Sequence, residues 1–197
     1  MQTVAVLGSP PMPKLHVLVC STRPGRIGPS FALWFAERAR AHGGVDVEIG
    51  DHAEVALPIF DEPKHPRLGQ YEHEHTKRWS AKVREADAFV FVCPEYNYGA
   101  PPALVNALDY LFTEWKYKPV GFVSYGGISG GLRSVQMIKQ FVTTLSMMPL
   151  PDGVTLPFAM KQIEGGVFAA IESKEKSAGV MLDELVRWAG ALATLRA

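Results

Sequence analysis

Residues 15–30 read LHVLVC and then STRPGRIGPS, and this junction decides the fold. A short, nearly continuous apolar run is the pattern of a strand buried on both faces, and the hydroxyls, glycines and prolines after it end the strand and open a helix. The pattern recurs twice: AFVFVC at residues 88–93 runs into PEYNYGAPP, and VGFVS at residues 120–124 runs into YGGISGG. Residues 45–49 (VDVEI) alternate apolar and acidic side chains, as a strand covered on one face or lying at a sheet edge does. A fifth strand is expected near residues 154–158, where Pro157 suits an edge position.

Helical spacing fills the intervals. Phe31, Trp34, Phe35 and Ala39 share a face that stops at Gly43 and Gly44. Leu68, Tyr71, Trp79, Val83 and Ala86 form a second stripe, and Leu104, Val105, Leu108 and Leu111 a third. Val135, Ile138, Val142 and Leu145, then Met181, Leu185, Trp188 and Leu192, complete the set, with the aromatic members read as core. Strand alternating with helix gives an α/β fold: a doubly wound parallel sheet of five strands with helices on both faces.

Composition sets the limits. The chain has 197 residues, 47% hydrophobic and 20% charged, which suits one globular domain. We assign residues 1–14 to a flexible lead-in and 15–197 to a single domain, with the proline-rich residues 58–70 as a surface loop. Twenty basic residues balance twenty acidic ones, so no nucleic-acid partner is expected. No stretch approaches ~18 uninterrupted apolar residues, so no membrane partner is expected either. Two cysteines, Cys20 and Cys93, with no paired spacing point to a cytoplasmic protein and to no metal. The EHEH run at residues 72–75 does not change this, because on a helix His73 and His75 diverge by roughly 200°.

In an open parallel sheet the ligand crevice lies beyond the carboxyl ends of the strands, and the unusual residues sit there. Ser21, Thr22, Arg23, Arg26 and the glycines of the first loop, opening a helix, make an anion site of the phosphate kind. The loop matches neither Gly-x-Gly-x-x-Gly nor Gly-x4-Gly-Lys-Ser/Thr, so dinucleotide-binding Rossmann and triphosphatase readings are disfavoured. Tyr96, Asn97 and Tyr98 offer an aromatic wall with an amide, and residues 124–131 a glycine-rich edge whose backbone can approach a ligand. A phosphorylated planar heterocycle matches all three.

STRPGRIGPS, PEYNYGAPPALVNALDYL and SYGGISGG, in that order after three strands, closely resemble the NADPH-dependent FMN reductase family over roughly residues 15–195. The resemblance implies a flavodoxin-like fold with strand order 2-1-3-4-5, FMN as cofactor and NADPH or NADH as hydride donor. It implies that Ser21, Thr22, Arg23, Arg26, Ile27 and Gly28 surround the FMN phosphate. Pro94, Glu95, Tyr96 and Asn97 would line the ring, with Tyr98 beside it or at a subunit interface, and Ser124, Tyr125, Gly126 and Gly127 would border its pyrimidine end. Cys20 departs from the pattern, standing where many relatives have glycine.

Hydride transfer needs alignment of two rings more than an acid or base, so no catalytic side chain is expected. Amides near Gly126 and Gly127 would stabilise negative charge on the reduced ring. Cys20 and Cys93 are read as buried packing residues, with a redox pair as the lesser reading, and Glu95 as acting through its backbone and stem more than its charge. Lys161, Lys174 and Lys176 are read as surface lysines. The expected function is an FMN-dependent NAD(P)H oxidoreductase passing electrons to a small-molecule acceptor: a quinone, flavin or azo compound. A flavodoxin-style electron carrier is the alternative, disfavoured by the absence of net negative charge, and a binding module without turnover is a third reading. The family implies a homodimer or homotetramer, with Leu111, Trp115 and Tyr117 as expected interface contributors.

Overall fold

The computed structural model describes residues 12–196. The lead-in assigned to residues 1–14 therefore lies outside the described residues as far as residue 11. Pro13 already accepts a hydrogen bond from the Asp46 amide (3.0 Å), and the first strand, β1 (Lys14–Val19), starts one residue earlier than the apolar run.

Four further strands join β1 side by side. They are β2 (Asp46–Asp51), β3 (Ala88–Pro94), β4 (Pro119–Tyr125) and the two-residue β5 (Met148–Pro149), in the order β2-β1-β3-β4-β5, all parallel. The expected fifth strand is β6 (Val154–Leu156), which also pairs with β4, farther along it than β5. The fifth position is thus two short pieces with a break between them, and Pro157 lies just past the second rather than inside it.

β3 shows why the sheet is closed on both faces. Val90 and Val92 point into one apolar layer, whereas Phe89, Phe91 and Cys93 point into the other, and all are fully buried. The first layer is covered by α1 (Gly28–His42), through Phe31, Trp34 and Phe35, and by the C-terminal helix, through Met181 and Leu185. The second is covered by three helices whose contributions include Trp79 with Val83, Leu104 with Leu108, and Val135 with Ile138. After the four-residue α2 (His52–Val55), these are α3 (Glu74–Glu85), α4 (Pro102–Asp109) and α5 (Leu132–Thr144), and the C-terminal helix is α6 (Glu172–Ala193). A short antiparallel hairpin, β7 (Ile163–Glu164) with β8 (Val167–Phe168), precedes α6.

Three expectations need correction. The stripe from Leu68 is not one helix: Leu68 is exposed at the end of a 3-10 turn, Tyr71 is in the loop, and helix begins only at Glu74. His73 is the extended residue before that helix, and its ring stacks on His75 at 5.2 Å, so the divergence argued from helical spacing does not apply. Trp115 is fully buried against Trp79, Phe89 and Phe91, and Leu111 is buried in the same layer, which makes them core and not interface; of the three expected contributors only Tyr117 is partly exposed.

The loop at residues 58–70 is fixed from both sides. The Glu62 carboxylate accepts from the amides of Glu72 (2.9 Å) and His73 (3.1 Å), supplying acceptors to the start of α3. Asn106 of α4 donates to the Pro58 carbonyl (2.6 Å) and accepts from the Phe60 amide (2.9 Å).

His52, only 5% exposed, opens α2 beside Trp79, and burial pushes its imidazole down to about 4. Above pH 6.5 it is neutral folded and unfolded, and it costs nothing. As pH falls from 6.5 towards 4 only the unfolded chain takes up the proton, so stability is lost across that window, by about 3 kcal/mol in all. His16, also buried and shifted down, acts in the same direction. Urea denaturation at pH 7 and pH 4.5 will show a smaller acid-induced loss in His52→Leu than in the parent chain; equal losses would refute the assignment.

Candidate functional site

The register of the inner strands places three loops on one rim. Val19 pairs with Val92, Cys93 with Ser124, and Pro94 with Tyr125, so the loops after β1, β3 and β4 leave the sheet together. The Glu95 amide still bonds the Tyr125 carbonyl (3.1 Å) beyond the strands.

In the loop after β1, no acceptor among the described residues takes the backbone amides of Thr22, Arg23, Arg26 or Gly28. The loop leads into α1, a 15-residue helix with no side-chain cap and no acid in its first turn, so its positive end is uncompensated. Gly28 is required by close approach: a Cβ there would lie 2.6 Å from Ser21 Oγ and 2.7 Å from Tyr125 Oη. Both of those oxygens are buried and neither makes a well-aligned hydrogen bond, but they face each other at the start of α1, where loops from β1 and β4 meet.

The two arginines of this loop differ. Arg23 is exposed and, among the described residues, reaches only the carbonyl of Pro24 (3.3 Å). Arg26 forms a two-pronged pair with Asp51 at the end of β2 (Nη2 to Oδ2, 2.6 Å) and also donates to the Ser21 carbonyl (2.6 Å). Burial pushes the Asp51 carboxyl up, but the Arg26 guanidinium and the Ala53 amide outweigh it and hold the group below its usual range. Asp51 thus caps α2 through Ala53 (2.9 Å) and pins the first loop at once. Arg26 does not stand free as Arg23 does. Asp51 itself was missed from sequence; its only signal is an acid at the end of an alternating strand.

The loop after β3 folds back as a tight turn in which Tyr96 and Gly99 exchange backbone hydrogen bonds (3.0 and 2.9 Å). The two central residues, Asn97 (φ 49°) and Tyr98 (φ 69°), are both left-handed, which is strained for a tyrosine. Tyr98 is 73% exposed and carries the Arg133 guanidinium over its ring at 4.2 Å.

Glu95 departs from the expected role, because its charge is engaged. Its carboxylate accepts from Ser129 Oγ (2.7 Å), the Arg133 amide (3.1 Å) and Arg133 Nη1 (2.8 Å). Burial raises this carboxyl, and those three donors overcome it and hold it below the usual range. One side chain therefore ties the loop after β3 to the loop after β4 and to the start of α5. In that second loop Gly131 has φ 88°, and a Cβ on it would meet the Tyr125 amide at 2.7 Å, so only glycine fits. Of the two amides expected to face a ring, that of Gly126 is taken by the Leu156 carbonyl (3.3 Å), whereas those of Gly127, Ile128 and Ser129 have no acceptor among the described residues, and Ile128 is 76% exposed.

Cys20 and Cys93 are fully buried thiols at the roots of the first two loops, and burial beside Cys93 raises the Cys20 thiol. Cys93 Sγ lies 3.0 Å from Ser134 Oγ. Glu95→Gln removes a charge with three donors facing it and will lower stability by about 1.5–3 kcal/mol, against about 1 kcal/mol for Ser129→Ala. Urea midpoints check this, and equal, negligible losses would show that the clamp holds nothing.

Residues 13–161 match the protein family described as NADPH-dependent FMN reductase. The chain is 41% identical over 164 residues to an NAD(P)H-dependent FMN reductase of Schizosaccharomyces pombe, covering 81% of each protein. It is 34% identical over 114 residues to a quinone reductase of Pseudomonas putida, covering 54% of this chain and 57% of that one. Among solved structures it superposes on FerB, a flavoenzyme NAD(P)H:(acceptor) oxidoreductase from Paracoccus denitrificans, with a TM-score of 0.71 at 18% identity, over 91% of this chain and 98% of that one. That likeness speaks for the flavodoxin-like fold. Since the family match runs from β1 through all three rim loops, the chain belongs to the NADPH-dependent FMN reductase family.

Proposed function

We propose that this chain uses bound FMN to take a hydride from NADPH or NADH and to pass the electrons to a small-molecule acceptor, such as a quinone, flavin or azo compound. The observation that carries this reading is the convergence of three loops on one rim of the sheet, those after β1 and β4 with open backbone amides, in a member of the FMN reductase family. The quinone reductase of Pseudomonas putida supports the acceptor class.

The residues fit FMN. Open amides in the first loop and the uncapped start of α1 suit a phosphate. When bound, FMN supplies the two-electron chemistry that no side chain here offers. Ser21, Thr22, Arg23, Ile27 and Gly28 hold its phosphate in this reading, and Arg26 acts one step back, by fixing the loop through Asp51. Pro94, Glu95, Tyr96, Asn97 and Tyr98 flank the ring, and Ser124, Tyr125, Gly126 and Gly127 border its edge. The amides of Gly127 and Ile128 lie in the same loop and donate to negative charge at that edge. No side chain is assigned as acid or nucleophile.

We assign the assembly as a homodimer or homotetramer, with exposed Tyr98, Ile128, Leu132 and Met137 beside the rim as its apolar contributors. Light scattering measures its size, and a monomer at micromolar concentration would remove this part. A cytoplasmic location belongs to the same reading: the two described cysteines are free thiols. Among the described residues no helix is long and apolar enough to cross a membrane.

The protein will purify yellow, or take up added FMN, and will bleach anaerobically on NADPH or NADH. A colourless protein that does not bind FMN would overturn the proposal, and a yellow one that does not bleach would make it a carrier. Arg23→Ala will weaken FMN binding by about 10- to 100-fold, as loss of a charge-assisted contact does. Because Arg26 acts through Asp51, Asp51→Asn and Arg26→Ala will weaken it to a similar degree. An Asp51→Asn variant with unchanged affinity would return Arg26 to direct phosphate contact.

A further inference from the structure

At the end of the sheet away from the rim loops, His16 and Glu48 face each other in register across β1 and β2, and Glu85, the last residue of α3, lies beside them. One ligand atom from each, an imidazole nitrogen and two carboxylate oxygens, lies within 4.8 Å of the others. Among the described residues no other three His, Cys, Asp or Glu side chains converge as closely. We propose that these three residues form a site for one divalent ion of the zinc type, bound in place of the ammonium groups of Lys14 and Lys82. The inference stands apart from the redox reading, and it departs from the expectation of no metal, which rested on the cysteines and on residues 72–75.

The imidazole is the group left over. His16 is 2% exposed, its ring is set edge-on against Phe89 at 5.9 Å, and its Nε2 makes no aligned hydrogen bond to any described residue. The nitrogen faces Glu48 Oε2, 3.2 Å away. Glu48 is itself 34% exposed, so the way to the nitrogen runs past a carboxylate that solvent reaches and not through the core. Both carboxylates hold cations already: Lys82 pairs with Glu48, and Lys14 with Glu85 (2.9 Å) and Glu48 (3.6 Å). Neither ammonium hydrogen-bonds to Nε2. Two ammoniums carry the charge of one divalent ion, so the exchange leaves the charge facing the carboxylates unchanged. Both lysines are about a third exposed and turn to water when the ion enters.

The spacing suits zinc. A tetrahedral ion with bonds of about 2.0–2.2 Å sets its ligands roughly 3.3–3.6 Å apart. His16 and Glu48 stand close to that spacing, fixed by strand pairing, and only Glu85, 51% exposed at the helix end, has to swing inward. One nitrogen and two carboxylates leave a fourth position for water. Imidazole suits zinc, whereas magnesium and calcium take oxygen ligands, so the buried nitrogen selects against them. The bound ion ties β1, β2 and α3 together at the end of the sheet that carries no cofactor loop.

Isothermal titration of the untagged, FMN-loaded chain, stripped of metals by a chelator, will show saturable binding of zinc chloride and none of magnesium chloride. His16→Gln and the exposed change Glu85→Gln will each weaken zinc at least about 100-fold, more than loss of a partner behind a metal ligand does. Lys82→Met, which removes a competing positive charge, will instead tighten it about tenfold. Zinc will also raise the thermal midpoint of the parent and leave that of Glu85→Gln unmoved, because only the folded chain assembles the site. The stacked His73 and His75 beside Asp61 are another place for zinc to settle, and the double variant His73→Gln/His75→Gln will keep the parent affinity. Absence of saturable binding up to millimolar zinc, unchanged affinity in folded Glu85→Gln, or loss of binding in the His73/His75 variant would overturn the proposal and leave His16 in a cluster closed by lysines alone.

Discussion

Strands β1, β3 and β4 are walled in by apolar layers above and below and by neighbours on either side, so the only places they can present polar groups are their ends. Everything chemical in the molecule follows from that confinement. Parallel pairing puts all three carboxyl ends on the same rim, and the loops leaving them carry hydroxyls, glycines and tyrosines that the interior could not accept. The apolar layers are what hold the rim, with Phe89, Phe91 and Trp115 among the largest side chains buried on one side and Phe31 and Phe35 among those on the other.

A rim of loops is inherently loose, and two acids correct this. Asp51 joins the first loop to the end of β2, and Glu95 joins the second loop to the third. Each is buried enough that its charge would be costly alone, and each is met by an arginine and at least one backbone amide that more than offset the cost. The loops are thereby held in place while several amides of the first and third, those of Thr22, Arg23, Gly127 and Ile128 among them, keep no acceptor among the described residues, which is the arrangement an anionic, flat ligand requires.

Much of this was legible in the sequence, and the limits have physical causes. A strand buried on both faces writes itself as an apolar run, so β1, β3 and β4 were read to within a residue, and the three loops with them. Contacts between residues far apart leave no such mark. The Arg26–Asp51 and Glu95–Arg133 pairs span 25 and 38 positions, and nothing local distinguishes Arg26 from Arg23. Aromatic stripes also look alike whether they face the core or a partner, which is why Trp115 was expected at an interface and is found inside. A two-residue strand such as β5 is too short for any period to register. His52 was not singled out at all, because a lone histidine after a strand carries no signal until its neighbours close around it.

The two thiols at the roots of the first loops have a use in the laboratory that follows from their burial. Cys20 and Cys93 are both fully enclosed, and no other cysteine occurs in the chain. An alkylating reagent can reach them only when the helices α3, α4 and α5 lift from that face of the sheet, so the rate at which the native protein is labelled is a clock for that opening. The same two atoms therefore report how firmly the centre of the molecule is shut, without any probe having to be introduced.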